Sequence, residues 1–273
     1  MKPDADLREL LDAWPYDSDD DLRVATGRDG RPILQLRTPL GLEQIELDGR
    51  PDGTRPHGEE SELVFQEHRW EAARAAGHET DFELSPDDCA ALFAEGVLYY
   101  QRYLRLFQLK DWPRTVRDTE RNLRGFDFVQ RHAARDDDRQ HLEKWRPYLI
   151  RMHGAAAALQ ALDEEAHDRA LGLVQTTIER IEALPELDEP VFDFERARSV
   201  EALKELRRQI QRAWPFSEKE RLEKQLGQAI EQQEFEHAAG LRDQLRALRG
   251  EPPGPLPTVP DPSPNQEPPA SSS

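Results

Sequence analysis

Apolar residues change their period several times along this chain, and each change marks an element. Leu7, Leu10 and Leu11 fall at helical spacing within residues 3–14, and Trp14-Pro15 closes that run. After the acidic break Asp17 to Asp21 the period shortens. Val24-Ala25-Thr26, Ile33 to Leu36 and Leu42 to Leu47 are short strand candidates, separated by Asp29-Gly30 and by a stretch with Pro39 and Gly41. Asp-Gly suits the positive φ of a hairpin turn, so a three-stranded antiparallel meander is expected from about 22 to 48. Three short strands are too few to stand alone, and the meander must pack on helices.

From about 85 to 212 the period is helical throughout. Ser85-Pro86-Asp87-Asp88 reads as a helix start, with acids facing the positive helix end. The run Ala91 to Leu109 brings Leu92, Phe93, Val97, Tyr100, Leu104 and Phe107 onto one side. Asp111-Trp112-Pro113 opens a second helix through Val116, Leu123, Phe126 and Val129. Asp136-Asp137-Asp138 opens a third with Leu142, Trp145 and Leu149, Ala155 to Leu162 lies in a fourth, and a fifth runs from Glu165 to Leu184. Leu106 to Asn122 and Leu159 to Ile181 are faintly similar to tetratricopeptide helix pairs, but no 34-residue period recurs, so an irregular helical stack is expected. Pro185 to Pro190 breaks the pattern, and Val200, Leu203, Leu206 and Ile210 mark one more amphipathic helix.

The last folded segment carries two separate stripes. Ser217 with Glu220 forms a capping box just after Pro215, and Leu222, Leu226, Ala229 and Ile230 follow on one helix face. Phe235, Ala238, Ala239, Leu241, Leu245 and Leu248 form the second stripe. The step from Ile230 to Phe235 breaks the phase, which predicts a tight turn and two antiparallel helices. Such a pair has an open apolar face and needs further helices to cover it. Glu223 and Arg242 are expected to pair across the helices, with Asp243 orienting Arg242. Beyond Gly250, nine prolines in the last 24 residues cannot build a core, and a disordered tail is expected.

This segment resembles the UVR (UvrB/UvrC) motif. The pattern falls on Leu222-Glu223, Leu226, Ala229-Ile230, Phe235-Glu236, Ala238-Ala239, Leu241-Arg242-Asp243, Leu245 and Leu248. Leu226 replaces the family's methionine and Ile230 the second alanine of its first pair. In that family the motif joins subunits of an excision nuclease, and it recurs in Clp-type ATPases and in the activator of protein-arginine kinase. The resemblance therefore implies docking on another protein. Leu222, Glu223, Leu226, Ile230, Phe235, Glu236, Ala238, Ala239, Leu241, Arg242, Asp243 and Leu245 are the partner-binding residues it implies. The region from Leu40-Gly41-Leu42 to Gly58 is similar to that of bacterial proteins carrying the same C-terminal motif, which supplies no activity.

Composition narrows the chemistry. Across 273 residues the net charge is −18, which repels phosphate backbones, so tight nucleic-acid binding is not expected. One cysteine, Cys89, excludes a disulfide framework and a multi-thiolate zinc site, including the paired Cys-x-x-Cys sites of the kinase activator. No Gly-x-x-x-x-Gly-Lys-Ser/Thr loop is present, so the helicase part of an excision nuclease is missing. The polar start argues against a signal peptide and no apolar run approaches a membrane span, which points to the cytosol. His132 with Asp136 to His141, and His57 with Glu59, Glu60 and His68, lack metal-ligand spacing. Helix capping explains the aspartates, and Cys89 and the aromatics Tyr99, Tyr100, Trp112 and Trp145 read as packing residues. The loop Asp48 to Gly58, with three glycines and two prolines, reads as a structured connector able to present Asp52, Arg55 and His57.

The expectation is a mainly α protein in four parts: an α+β region at 1–84, a helical stack at 85–212, the hairpin at 217–249 and the tail at 250–273. Its expected role is a non-catalytic, cofactor-free adaptor whose hairpin recruits a protein partner or self-associates. An accessory factor of nucleotide excision repair is the alternative, and a ligand- or metal-dependent enzyme using residues 48–68 is the third.

Overall fold

The computed structural model describes residues 6–213, 218–232 and 234–248. The chain divides into two compact units, Met1–Ala213 and Trp214–Ser273. The first opens with a short helix α1 (Arg8–Ala13), the expected N-terminal helix in reduced form. Trp14 is buried behind it, donating its indole N–H to the Asp20 carbonyl (3.1 Å) under the Arg23 guanidinium.

The meander forms as β1 (Leu22–Thr26), β2 (Pro32–Thr38) and β3 (Gly41–Glu46), antiparallel in the order 1-2-3. Val24 faces Leu34, and Gln35 faces Gln44. Gly30, at φ 84°, makes the first turn, as the Asp-Gly pair required. The sheet does pack on a helix: Leu34 and the strand-following Leu47 meet Leu106 in one fully buried cluster.

A helix that the apolar period had not revealed follows: α2 (Glu62–Ala75), capped by the Ser61 hydroxyl, which accepts from the Val64 N–H at 3.2 Å. Its buried residues are Glu62, Leu63 and Gln66, so there is almost no apolar stripe to read. The stack comprises α3 (Pro86–Gln108), α4 (Trp112–His132), α5 (Asp136–Glu143), α6 (Arg146–Asp163), α7 (His167–Glu182) and α8 (Pro190–Ala213). Ser85 and Asp88 form a reciprocal capping box at the start of α3. The single helix expected through Leu142, Trp145 and Leu149 is two. Pro147 has no N–H to give and fits only a first turn, so α5 ends at Glu143 and α6 starts at Arg146. That start also extends the expected fourth helix, placed over Ala155 to Leu162, toward the N-terminus.

Two of the connections are the same turn. Lys110 and Glu165 both adopt φ near 58–59°, and the following residue bonds back across the helix end, Asp111 N–H to the Leu106 carbonyl (2.9 Å) and Ala166 N–H to the Ala161 carbonyl (2.8 Å). The main core runs from Tyr103 and Phe126 through Leu149, Ile150 and Val174 to Ile181, Leu203 and Ile210. Small residues bring α6 and α7 together at Gly154, Ala158, Ala161 and Ala170.

Candidate functional site

The second unit holds α9 (Glu218–Glu231) and α10 (Phe235–Leu248). The chain reverses between them through bonds from the Gln232 N–H to the Gln228 carbonyl (3.0 Å) and from the Glu234 N–H to the Ala229 carbonyl (2.8 Å). Leu222 and Ala229 on α9 meet Ala238, Leu241 and Leu245 on α10, with Leu226 packed alongside. The spacings of seven on each helix keep these residues on one face, and the alanines let the backbones approach. The anticipated Ser217–Glu220 cap falls on residues whose structure or side chains lie outside the description.

The twelve expected docking residues split by burial. Leu222, Ala238, Leu241 and Leu245 are buried in the hairpin's own seam, and Leu226 is partly buried there. Glu223, Glu236, Ala239, Arg242 and Asp243 are exposed. Ile230 and Phe235, on either side of the reversal, are 46% and 71% exposed, and Leu248 is 51% exposed.

The other candidate chemistry is tied into structure. Cys89 is fully buried, and burial followed by the negative Asp138 and Asp88 pushes its thiol up to about 11. His132 packs against Trp70, Phe82 and Phe128, and His141 stacks on Phe93 at 4.5 Å, so the two rings belong to separate aromatic contacts. His57, in the left-handed region at φ 54°, stacks on Phe65 and lies 3.4 Å from Glu62, while His68 sits 3.2 Å from Glu59. Tyr99 and Trp112 are buried; Tyr100 and Trp145 are substantially exposed.

The loop after β3 is held by a buried charge network that the sequence reading missed. Arg102 grips Asp118 through two bonds (2.6 and 2.9 Å), and its remaining arm donates to the Glu46 and Gly49 carbonyls at 2.8 Å each. Arg117 donates to the Leu47 carbonyl (2.7 Å) and to Asp48 (2.9 Å). Glu95, wholly buried, accepts from the Glu62 and Leu63 amides at the start of α2 and from Arg121. The signal in the sequence was the spacing of Arg114, Arg117, Arg121 and Arg124, which places four arginines along one side of α4. Among the described residues no helix is long and apolar enough to cross a membrane.

Two short helices zipped along a leucine–alanine seam define a small helical-hairpin module. Its sequence is matched over residues 217–251 by the family model described as the UvrB/uvrC motif (UVR). Neither the curated proteins nor the solved structures contain a match to the chain.

Proposed function

We propose that the protein is a non-catalytic adaptor that docks a protein partner through the hairpin of α9 and α10. The observation that carries this reading is the division of the hairpin's apolar residues. The seam uses up the leucines and alanines that face inward, yet Phe235 and Ile230 remain outside on the two sides of the reversal. An exposed large aromatic and an exposed β-branched residue flanking the reversal have the composition of an interface anchor. In this reading Leu222, Leu226, Ala238, Leu241 and Leu245 build the module. Ile230 and Phe235 anchor the partner, with Glu223, Glu236, Ala239, Arg242 and Asp243 around them. The UVR match supports it, because that motif joins protein subunits in the family it resembles.

The test compares the full chain with Phe235→Asp. Helicity is expected to be unchanged, since Phe235 is outside the seam, while capture of the partner and any self-association seen by sedimentation are lost. An identical set of captured proteins for both chains refutes the reading. The UVR match also favours one specific partner class, the subunits of an excision nuclease. Binding of purified subunits that is abolished by Phe235→Asp would place the adaptor in excision repair.

A further inference from the structure

The first unit contains a cavity of about 800 Å³ between the loop after β3, the start of α2 and the outer side of α4. Its inner wall is made of Tyr99, Arg102, Arg117, Asp118 and Arg121, and its mouth of exposed groups that include Glu60, Glu120 and Arg180. Three guanidinium groups thus meet at the inner end, where Arg121 also reaches Glu95 and Arg117 also reaches Asp48. The Asp118 carboxylate is already engaged, since it receives both Arg102 and Arg117.

Several donors are left over. The Nε of Arg121 is buried with no acceptor, although its two other nitrogens are bonded to Asn122 and Glu95. Tyr99 is buried, with the Arg102 and Arg121 guanidinium groups over its ring at 4.9 and 4.1 Å from the ring centre. Its hydroxyl makes no hydrogen bond among the described residues. Arg180 at the mouth has no hydrogen bond or ion pair there either. A buried guanidinium N–H without an acceptor is costly, and an incoming oxyanion removes that cost.

We propose that this cavity is a binding site for a small oxyanion of the phosphate class, held by Arg117, Arg121 and the Tyr99 hydroxyl within the field of Arg102. Planar guanidinium forks match the oxygen spacing of such groups. The net charge of the whole chain, −18, disfavours an extended polyanion such as nucleic acid, whereas a compact anion meets the local field of the inner wall. The loop Asp48 to Gly58 thereby acquires a role beyond connection, since Asp48 and Gly49 form part of the wall.

The test is calorimetric titration of the full chain with inorganic phosphate and with pyrophosphate, at ionic strength balanced by sodium chloride. Saturable binding of one anion per chain is expected. Tyr99→Phe removes one hydroxyl and leaves the ring, so the variant should fold normally and bind about ten- to a hundredfold more weakly, the effect of one hydrogen bond to a charged group. Arg117→Gln, at a half-exposed position, should weaken binding at least as much. Absence of saturable heat with both probes overturns the proposal, as does unchanged pyrophosphate affinity in both variants. Binding of a phosphoserine peptide that pyrophosphate does not displace also overturns it, because the ligand would then be a protein segment.

Discussion

Replacing Gly154 by alanine offers a sharp test of how closely α6 and α7 pack. An added Cβ would lie 2.1 Å from Thr177 Oγ1, 2.4 Å from its Cγ2 and 2.7 Å from its Cβ. Rotating Thr177 cannot relieve this, because its own Cβ is among the atoms struck. Its hydroxyl is also held by a 2.6 Å bond to the Leu173 carbonyl. The helices must therefore part by about an ångström, loosening a core in which Ala158, Ala161, Ala170 and Val174 are completely buried. Alanine is worth about 1 kcal/mol more than glycine inside a helix. Overpacking a close contact costs about 1–3 kcal/mol and here opens neighbouring contacts as well, so a net loss of roughly 1–2 kcal/mol is expected. For a unit of this size that lowers the melting temperature by about 2–8 °C, read by calorimetry. Thr177→Ala added to Gly154→Ala should restore little, since the 2.7 Å Cβ contact persists. Thr177→Gly should restore more despite its own helix penalty. A Gly154→Ala chain as stable as the parent would refute the close approach of the two helices.

Asp118→Ala strands Arg102, which is 1% exposed, and should cost about 3–5 kcal/mol in urea unfolding; a loss below about 1 kcal/mol would class the pair with surface ion pairs. The Cys89 thiol, raised to about 11 and fully buried, should resist a disulfide reagent at about pH 8 in the native protein and react with one equivalent after unfolding in guanidinium. Rapid native labelling would contradict its burial. Burial also holds the imidazoles of His132, His141 and His153 below their usual 6.5, so they are neutral in the fold. The unfolded chain then takes up protons first as pH falls through 6.5, and stability present above that value declines down to the folded pKa values. Urea midpoints at about pH 7.5 and 5.5 should differ in that direction, and equal midpoints would remove the histidines as a cause.

The parts of the fold that could be read ahead are those in which apolar residues carry the information. The meander followed from alternation around Asp29-Gly30, and the hairpin followed from two stripes with a phase break at Glu231 to Glu234. The parts that could not be read are held by polar groups. On α4 the sequence shows Val116, Leu123, Phe126 and Val129, but Thr115, Asp118, Thr119 and Asn122 are buried as well. In sequence a charged residue looks the same whether it is solvated or locked to a partner, and Asp118 gives no sign of Arg102 sixteen positions earlier. For the same reason α2, whose buried residues include Glu62 and Gln66, had no stripe to betray it.

Burial also changes how the docking residues sort. A stripe states that a residue is on the apolar side of a helix, but a two-helix module is too thin to cover every residue on that side. Leu226 and Ile230 are four apart on α9, yet one packs into the seam and the other is exposed at the turn, where the opposite helix has only begun. The seam leucines thus answer to the hairpin's stability and the tip residues to whatever it meets. Substituting Leu241 would therefore test folding and binding together, whereas Phe235 separates them, because it lies outside the buried seam of the described residues.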